Sequence, residues 1–153
     1  FTDTLRDLGK RPGITDVSVA LDAAPPTEAL EFLPGTHLWV AERVRTADDR
    51  AFCRMQSWLP DAIASSVTAA ELERTQSLYE VLGANLDIYP AEAIEIIRAE
   101  PATVEDAAML DVQPGTPLLN TYRWTSDHRG QPIEYVRSAS PGDRYEYVIK
   151  LKQ

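Results

Sequence analysis

The sequence predicts an α+β domain: one mostly antiparallel sheet of about six strands with helices on one side, built from two pseudo-repeated strand–helix–strand–strand units. Three observations predict it. A Pro-Gly-Thr turn occurs twice, as Pro34-Gly35-Thr36 and as Pro114-Gly115-Thr116. Each copy leads through a leucine (Leu38, Leu118) and an arginine (Arg43, Arg123) into a polar turn, at Ala47-Asp48-Asp49 and at Asp127 to Gly130. The alternating runs on either side of those turns are joined too closely for crossovers, which favours antiparallel pairing.

The elements follow in order. Ile14 to Leu21 alternates as a strand, with Val17, Val19 and Leu21 on one face. Pro25-Pro26-Thr27 opens a short helix to Leu33, with proline where a first turn tolerates it, and Pro34-Gly35 stops it. Strands His37 to Arg45 and Ala51 to Trp58 form a hairpin. Three short helices follow: Pro60 to Ser66, a turn capped at Thr68, and Ser77 to Leu82 ended by Gly83. The second unit opens with a strand from Ile88 to Ala99. Thr103 caps a helix to Leu110, with Asp106 three residues on. Strands Pro117 to Thr125 and Pro132 to Ser138 follow, and a final strand, Tyr145 to Leu151, is expected to close the chain.

Bulk properties exclude several functions. The 153 residues, 44% hydrophobic and 25% charged, fit one globular domain. A formal net charge of −9 and a pI near 4.7 give the reverse of the field that grips nucleic acid phosphates. Cys53 is the single cysteine, so no internal disulfide can form, and a reducing compartment, the cytoplasm, is expected. Two isolated histidines, His37 and His128, suggest no metal site, and no cofactor is expected. No apolar run reaches the roughly 20 residues of a membrane helix. The chain begins at Phe1 rather than Met and is expected to be a fragment.

Chemistry concentrates at three places. On the strand His37 to Arg45, Arg43 and Arg45 point to the same face, about 7 Å apart. Two such guanidiniums repel unless an anion lies between them, so they form either an anion clamp or surface arginines paired with this chain's many carboxylates. Ser77-Leu78-Tyr79 opens a helix. Ser77 can cap it, and can also offer its hydroxyl and the first free N–H groups to an anion. Glu134 lies on the strand after the second turn and reads alone as a solvated carboxylate. No Ser-His-Asp arrangement, nucleophile elbow or glycine-rich phosphate loop is present.

Taken together these segments resemble the UTRA effector domain of the HutC-type branch of the GntR regulators. The resemblance is carried by Phe1-Thr2-Asp3 through Gly9, Glu42-Arg43-Val44-Arg45, Ser57-Trp58-Leu59-Pro60 and Ser77-Leu78-Tyr79. It continues through Ala107, Leu110, Pro114 to Leu119, Arg123, Asp127, Gly130 to Glu134, and Asp143-Arg144-Tyr145. It implies a chorismate-lyase-like fold over residues 13–153. Residues 1–12 would link it to a winged helix preceding Phe1, through which alone DNA would be bound. It further implies a non-enzymatic homodimer that senses a small anionic metabolite, phosphorylated ones included, through Arg43, Arg45, Ser77, Leu78, Tyr79 and Thr2, with Glu134 on the sugar. A chorismate-lyase-like enzyme is the alternative. Two departures from the family pattern stand out: Met55 replaces a glutamate, and Ser140-Pro141 replaces a tyrosine and an arginine. The anionic end of the pocket is kept while the end that sets specificity has changed.

Overall fold

A computed structural model describes residues 9–153. The expected contact at Thr2, and most of the expected linker, lie outside the described residues. Eleven elements are arranged as β1 (Pro12–Leu21), α1 (Thr27–Phe32), β2 (Leu38–Ala47), β3 (Arg50–Pro60), α2 (Asp61–Ala64), α3 (Ala69–Thr75), α4 (Leu78–Leu86), β4 (Pro90–Pro101), α5 (Val104–Leu110), β5 (Pro117–Asp127) and β6 (Pro132–Pro141). The strands form one sheet in the order β1-β2-β3-β6-β5-β4, every pair antiparallel. The two units, β1-α1-β2-β3 and β4-α5-β5-β6, therefore meet along β3 and β6, where Trp58 faces Tyr135 and Met55 faces Ser138.

The β2–β3 hairpin shows why the turn lies where the sequence puts it. Asp48 and Asp49 both take positive φ, 49° and 65°, as a two-residue hairpin loop of matching twist requires. Aspartate tolerates that conformation, and the Asp48 carboxylate also accepts the Arg11 backbone N–H at 2.7 Å. Period-two alternation then divides the interior strands between two faces. Ala41, Arg43, Arg45, Cys53, Met55, Ser57, Glu134 and Ser138 lie on one. Val40, Glu42, Val44, Arg54, Trp58, Tyr135 and Arg137 lie on the other.

Helices cover both faces, not one. Both faces of β2, β3 and β6 carry apolar residues, and each must be kept from water. Helices α2 to α4 close the arginine face, packing Ile63, Val67, Leu72, Leu78, Val81 and Leu82 on Ala41 and Leu59. Helix α1 sets Ala29 and Leu33 on Leu38, Trp58 and Tyr135, and α5 sets Ala107 and Leu110 on Leu118 and Ala139.

Three sequence expectations need correction. Helix α4 passes through Gly83 and ends at Asp87, which takes the left-handed conformation. A Cβ at Gly83 would lie 2.8 Å from the ring of the half-exposed Tyr89, which would have to move to admit it. Strand β4 consequently starts at Pro90, not Ile88, and Ile88 packs on the core instead. Residues 145–151 form no strand: β1 and β4 are the only edges of the sheet among the described residues, and this segment joins neither.

The α5 face is fastened by buried charge. The Thr103 hydroxyl accepts the Asp106 N–H at 3.1 Å, which caps α5 and aims Asp106 at the sheet. Its carboxylate receives Arg137 through both oxygens (3.0 and 2.7 Å) and Arg54 at 2.9 Å. Arg54 also pairs with Glu42 and Glu105. Burial alone would raise the Asp106 carboxyl; the hydrogen bonds and charge of Arg137, then Arg54, outweigh it and hold the group at about 2. A depressed carboxylate contributes stability above its unfolded value of 3.8 and loses it as pH falls through about 2. Asp106→Asn is predicted to lower stability at pH 7 by about 2 kcal/mol and to flatten the loss of stability between those two values. Urea unfolding followed across pH reads both effects.

Candidate functional site

The site lies on the face covered by α2 to α4. Arg43 sits opposite Met55, and Arg45 opposite Cys53. Arg43 is only 4% exposed. Its Nη1 donates to the Ala41 carbonyl at 3.1 Å and the Ser57 hydroxyl at 2.9 Å, both neutral acceptors. Burial draws its guanidinium below the ordinary arginine value, with Glu134 acting in the opposite sense. Arg45 is also drawn down, first by burial and then by the positive charge of Arg43.

The duplicated unit shows what is unusual about Arg43. Its counterpart Arg123 lies on the same face and pairs with Glu95 of β4 at 3.0 Å. Opposite Arg43, the register of β1 slips between Thr15 and Ser18. Asp16 there turns to positive φ, is exposed, and accepts the Thr15 hydroxyl at 2.9 Å. The bulge thus leaves the Arg43 side of the repeat without the carboxylate that Arg123 enjoys.

Arg45 links the strand to the helices. Its Nη1 donates to the Gln76 carbonyl at 2.8 Å. Gln76 ends α3 in the left-handed conformation, and the next residue, Ser77, begins α4. The Ser77 hydroxyl accepts the Glu80 N–H at 3.2 Å, so it does cap the helix. The Leu78 side chain is buried in the core. Among the described residues, the buried Gln76 Oε1 has no hydrogen-bond partner.

Tyr79 and Glu134 are brought together across the face. The Tyr79 hydroxyl donates to Glu134 Oε1 at 2.6 Å and lies 3.3 Å from the Thr125 hydroxyl. Burial, then the Glu134 charge, pushes the phenol up, so it remains a donor. Glu134 is 2% exposed, not the solvated carboxylate its sequence context suggests. Beside these groups, a hollow of about 210 Å³ is bounded by Tyr79, Ala93, Arg123 and Thr125. A second of about 60 Å³ is bounded by Cys53, Met55, Arg123, Ser138, Ser140 and Tyr145.

Six of the residues singled out in the sequence therefore share one face: Arg43, Arg45, Ser77, Tyr79, Glu134 and Met55. Leu78 belongs to the core by its side chain. Arg123, Thr125, Ser138 and Ser140 join the surroundings. Arg123 could have been found in the sequence, since the repeat equates it with Arg43.

The UTRA domain model matches residues 7–146. This chain belongs to the UTRA family. It is 27% identical over 152 residues to the HTH-type transcriptional repressor NagR of Bacillus subtilis, covering 97% of this chain and 61% of that protein. It is 30% identical over 123 residues to the HTH-type transcriptional regulator RB1450 of Rhizobium meliloti, covering 80% and 50%. The UTRA chain thus spans about half to three-fifths of these relatives. Among solved structures, it is 25% identical to the ligand-binding domain of a GntR-family regulator from Bordetella bronchiseptica, with TM-score 0.77 and coverage of 94% and 89%. The effector domain of PhnF from Mycobacterium smegmatis shares the fold at TM-score 0.82 and 23% identity, over 99% and 94% of the two chains.

Capping predicts a stability effect at Ser77 that needs no ligand. Ser77→Ala should cost about 1 kcal/mol in the free protein, and Ser77→Asp should retain most of it. Thermal unfolding of the unliganded variants measures this.

Proposed function

We propose that this UTRA domain is the effector-sensing part of a cytoplasmic transcription regulator, and that its effector is a small anionic metabolite. Arg43 carries the reading: it is a buried guanidinium that, among the described residues, makes no salt bridge, next to a second arginine of the same face. Burying a cation without a counter-charge is costly unless an anion completes the site. An anionic group seated between Arg43 and Arg45 would accept two guanidinium forks and face the first free N–H groups of α4. Phosphate and carboxylate both satisfy that geometry. Tyr79 and Glu134 would meet the remainder of the ligand, and Met55 offers it an apolar wall where an acidic residue would have bonded a hydroxyl. Thr2 belongs to the proposed ligand set on the resemblance alone.

The proposed switch follows from connectivity. Arg45 bonds the α3–α4 junction, so an anion that tightens around it draws the helical layer and the sheet together. Residues 1–12 would pass this change to a DNA-binding domain upstream, in a dimer. Regulation of this kind needs a coupling of about 1–3 kcal/mol between ligand-free and ligand-bound arrangements. The relatives are named as regulators, which does not favour the lyase alternative. Release of pyruvate on incubation with chorismate would revive it.

A volume-conserving neutral replacement separates a binding arginine from a structural one. Arg43→Met is predicted to change the melting temperature of the free protein little, because it removes a desolvated charge whose hydrogen-bond partners are neutral and which Glu134 offsets only without a direct salt bridge. The same variant should lose the thermal stabilisation given by inorganic phosphate, sugar phosphates or small dicarboxylates, with affinity reduced about tenfold or more. A lowered melting temperature together with undiminished ligand stabilisation would show that Arg43 is structural.

A further inference from the structure

The opposite face of the sheet holds a cavity of about 390 Å³ that the effector site does not use. Its floor crosses three strands. Trp58 of β3, Tyr135 of β6, and Trp124 and Tyr122 of β5 present their rings to it. The rings support one another at an angle, Tyr135 lying 5.7 Å from Trp58 and 5.2 Å from Trp124 between centroids. Pro26, which precedes α1, and Glu28 of α1 form one wall, and edge strand β4 forms the other with Ile96 and Arg98.

We propose that this cavity binds a planar aromatic carboxylate, independently of the anion site on the other face. Size, lining and charge all support it. The volume falls in the range of about 300–1,000 Å³ that small-molecule sites occupy, and four aromatic rings line it beside three charged side chains, Glu28, Arg98 and Arg137. A flat ring slides between tilted aromatic faces with little loss of conformational entropy. Two hydrogen-bonding groups are also left unused. Among the described residues, neither the Tyr135 hydroxyl nor the Trp124 indole N–H has a hydrogen-bond partner, whereas the Trp58 N–H is taken by Asp22 at 2.8 Å.

Charge sets the polarity and the orientation. Arg137 is held by both oxygens of Asp106, but Arg98 makes no salt bridge or hydrogen bond among the described residues. Its guanidinium lies 5.1 Å above the Tyr122 ring, at the exposed end of the cavity. The carboxylate Glu28 occupies the opposite wall. An anionic ligand is therefore drawn with its charge toward Arg98 and its ring toward Trp58 and Tyr135, while a ring N–H can point to Glu28. A cation of the same shape would meet Arg98 and would have to bind reversed.

The probes that test this are indole-3-carboxylate, its neutral parent indole and the cation tryptamine, titrated into the full chain. Binding is followed by calorimetry and by the emission of Trp58 and Trp124. Indole-3-carboxylate is expected to bind saturably and to change the emission, at least about tenfold tighter than tryptamine. Arg98→Gln, at an exposed position, should remove that preference, and Trp124→Leu should weaken all three probes. Several results would overturn the proposal: no saturable binding, equal affinity for the anion and the cation, or loss of indole-3-carboxylate binding in Tyr79→Phe but not in Arg98→Gln. The last would place the probe on the effector face. Failure of the phosphate experiment at Arg43 leaves this test unaffected, since the two faces share no side chain.

Discussion

Two guanidiniums side by side under a layer of helices are expensive, and most of this domain's arrangement around β2 either creates or tolerates that cost. Alternation in β2 puts Arg43 and Arg45 on one face, and the packing of α2 to α4 on the same face removes them from water. The bulge in β1 denies Arg43 a carboxylate from that strand, while Ser57 and the Ala41 carbonyl give it neutral partners and Glu134 offsets its burial only without a direct salt bridge. The repeat supplies an internal control: the equivalent Arg123 is neutralised by Glu95 and is drawn above the ordinary arginine value, its own burial notwithstanding. Two copies of one strand pattern have been given opposite electrostatic solutions. On the proposed reading, the copy without a direct ion pair is the one that takes an anion from outside.

The opposite face solves its burial problem differently. There Arg54 and Arg137 are enclosed as well, but Asp106, Glu42 and Glu105 surround them. That network ties the start of α5 to β3 and β6, the seam where the two units join. The pairing on this side is self-sufficient, whereas on the other side Arg43 is held by neutral acceptors. A sheet shared by both can pass strain between them, because interior packing is too dense to absorb displacement locally.

Much of this was legible in the sequence, and the reasons are local. The Pro-Gly-Thr repeat, the Asp48-Asp49 turn and the Thr68, Ser77 and Thr103 caps each depend on a few neighbouring residues, and each stands where expected. The common face of Arg43 and Arg45 follows from alternation alone. What the sequence hid depends on partners distant along the chain. Gly83 reads as a helix stop until Tyr89 is seen against it. Tyr145 to Leu151 alternates like a strand, yet pairing needs a free edge and not only a pattern. Helices on both faces become necessary only once β2, β3 and β6 are known to be interior. Glu134 looks solvated until Tyr79 covers it. The aromatic cavity was illegible because Trp58, Tyr122, Trp124 and Tyr135 come from three strands that only the sheet order brings together.

The central claim is that Arg43 and Arg45 together form an anion seat, and the guanidinium nitrogens themselves report on it. Nitrogen-resolved magnetic resonance of the arginine Nε–H groups, during titration with inorganic phosphate at constant ionic strength, is the most direct test. Saturable shifts of Arg43 and Arg45, accompanied by the amides that open α4 and absent from Arg123 and Arg54, are the predicted result. Signals from Arg43 and Arg45 that stay in place while other arginines drift with added salt would contradict the account.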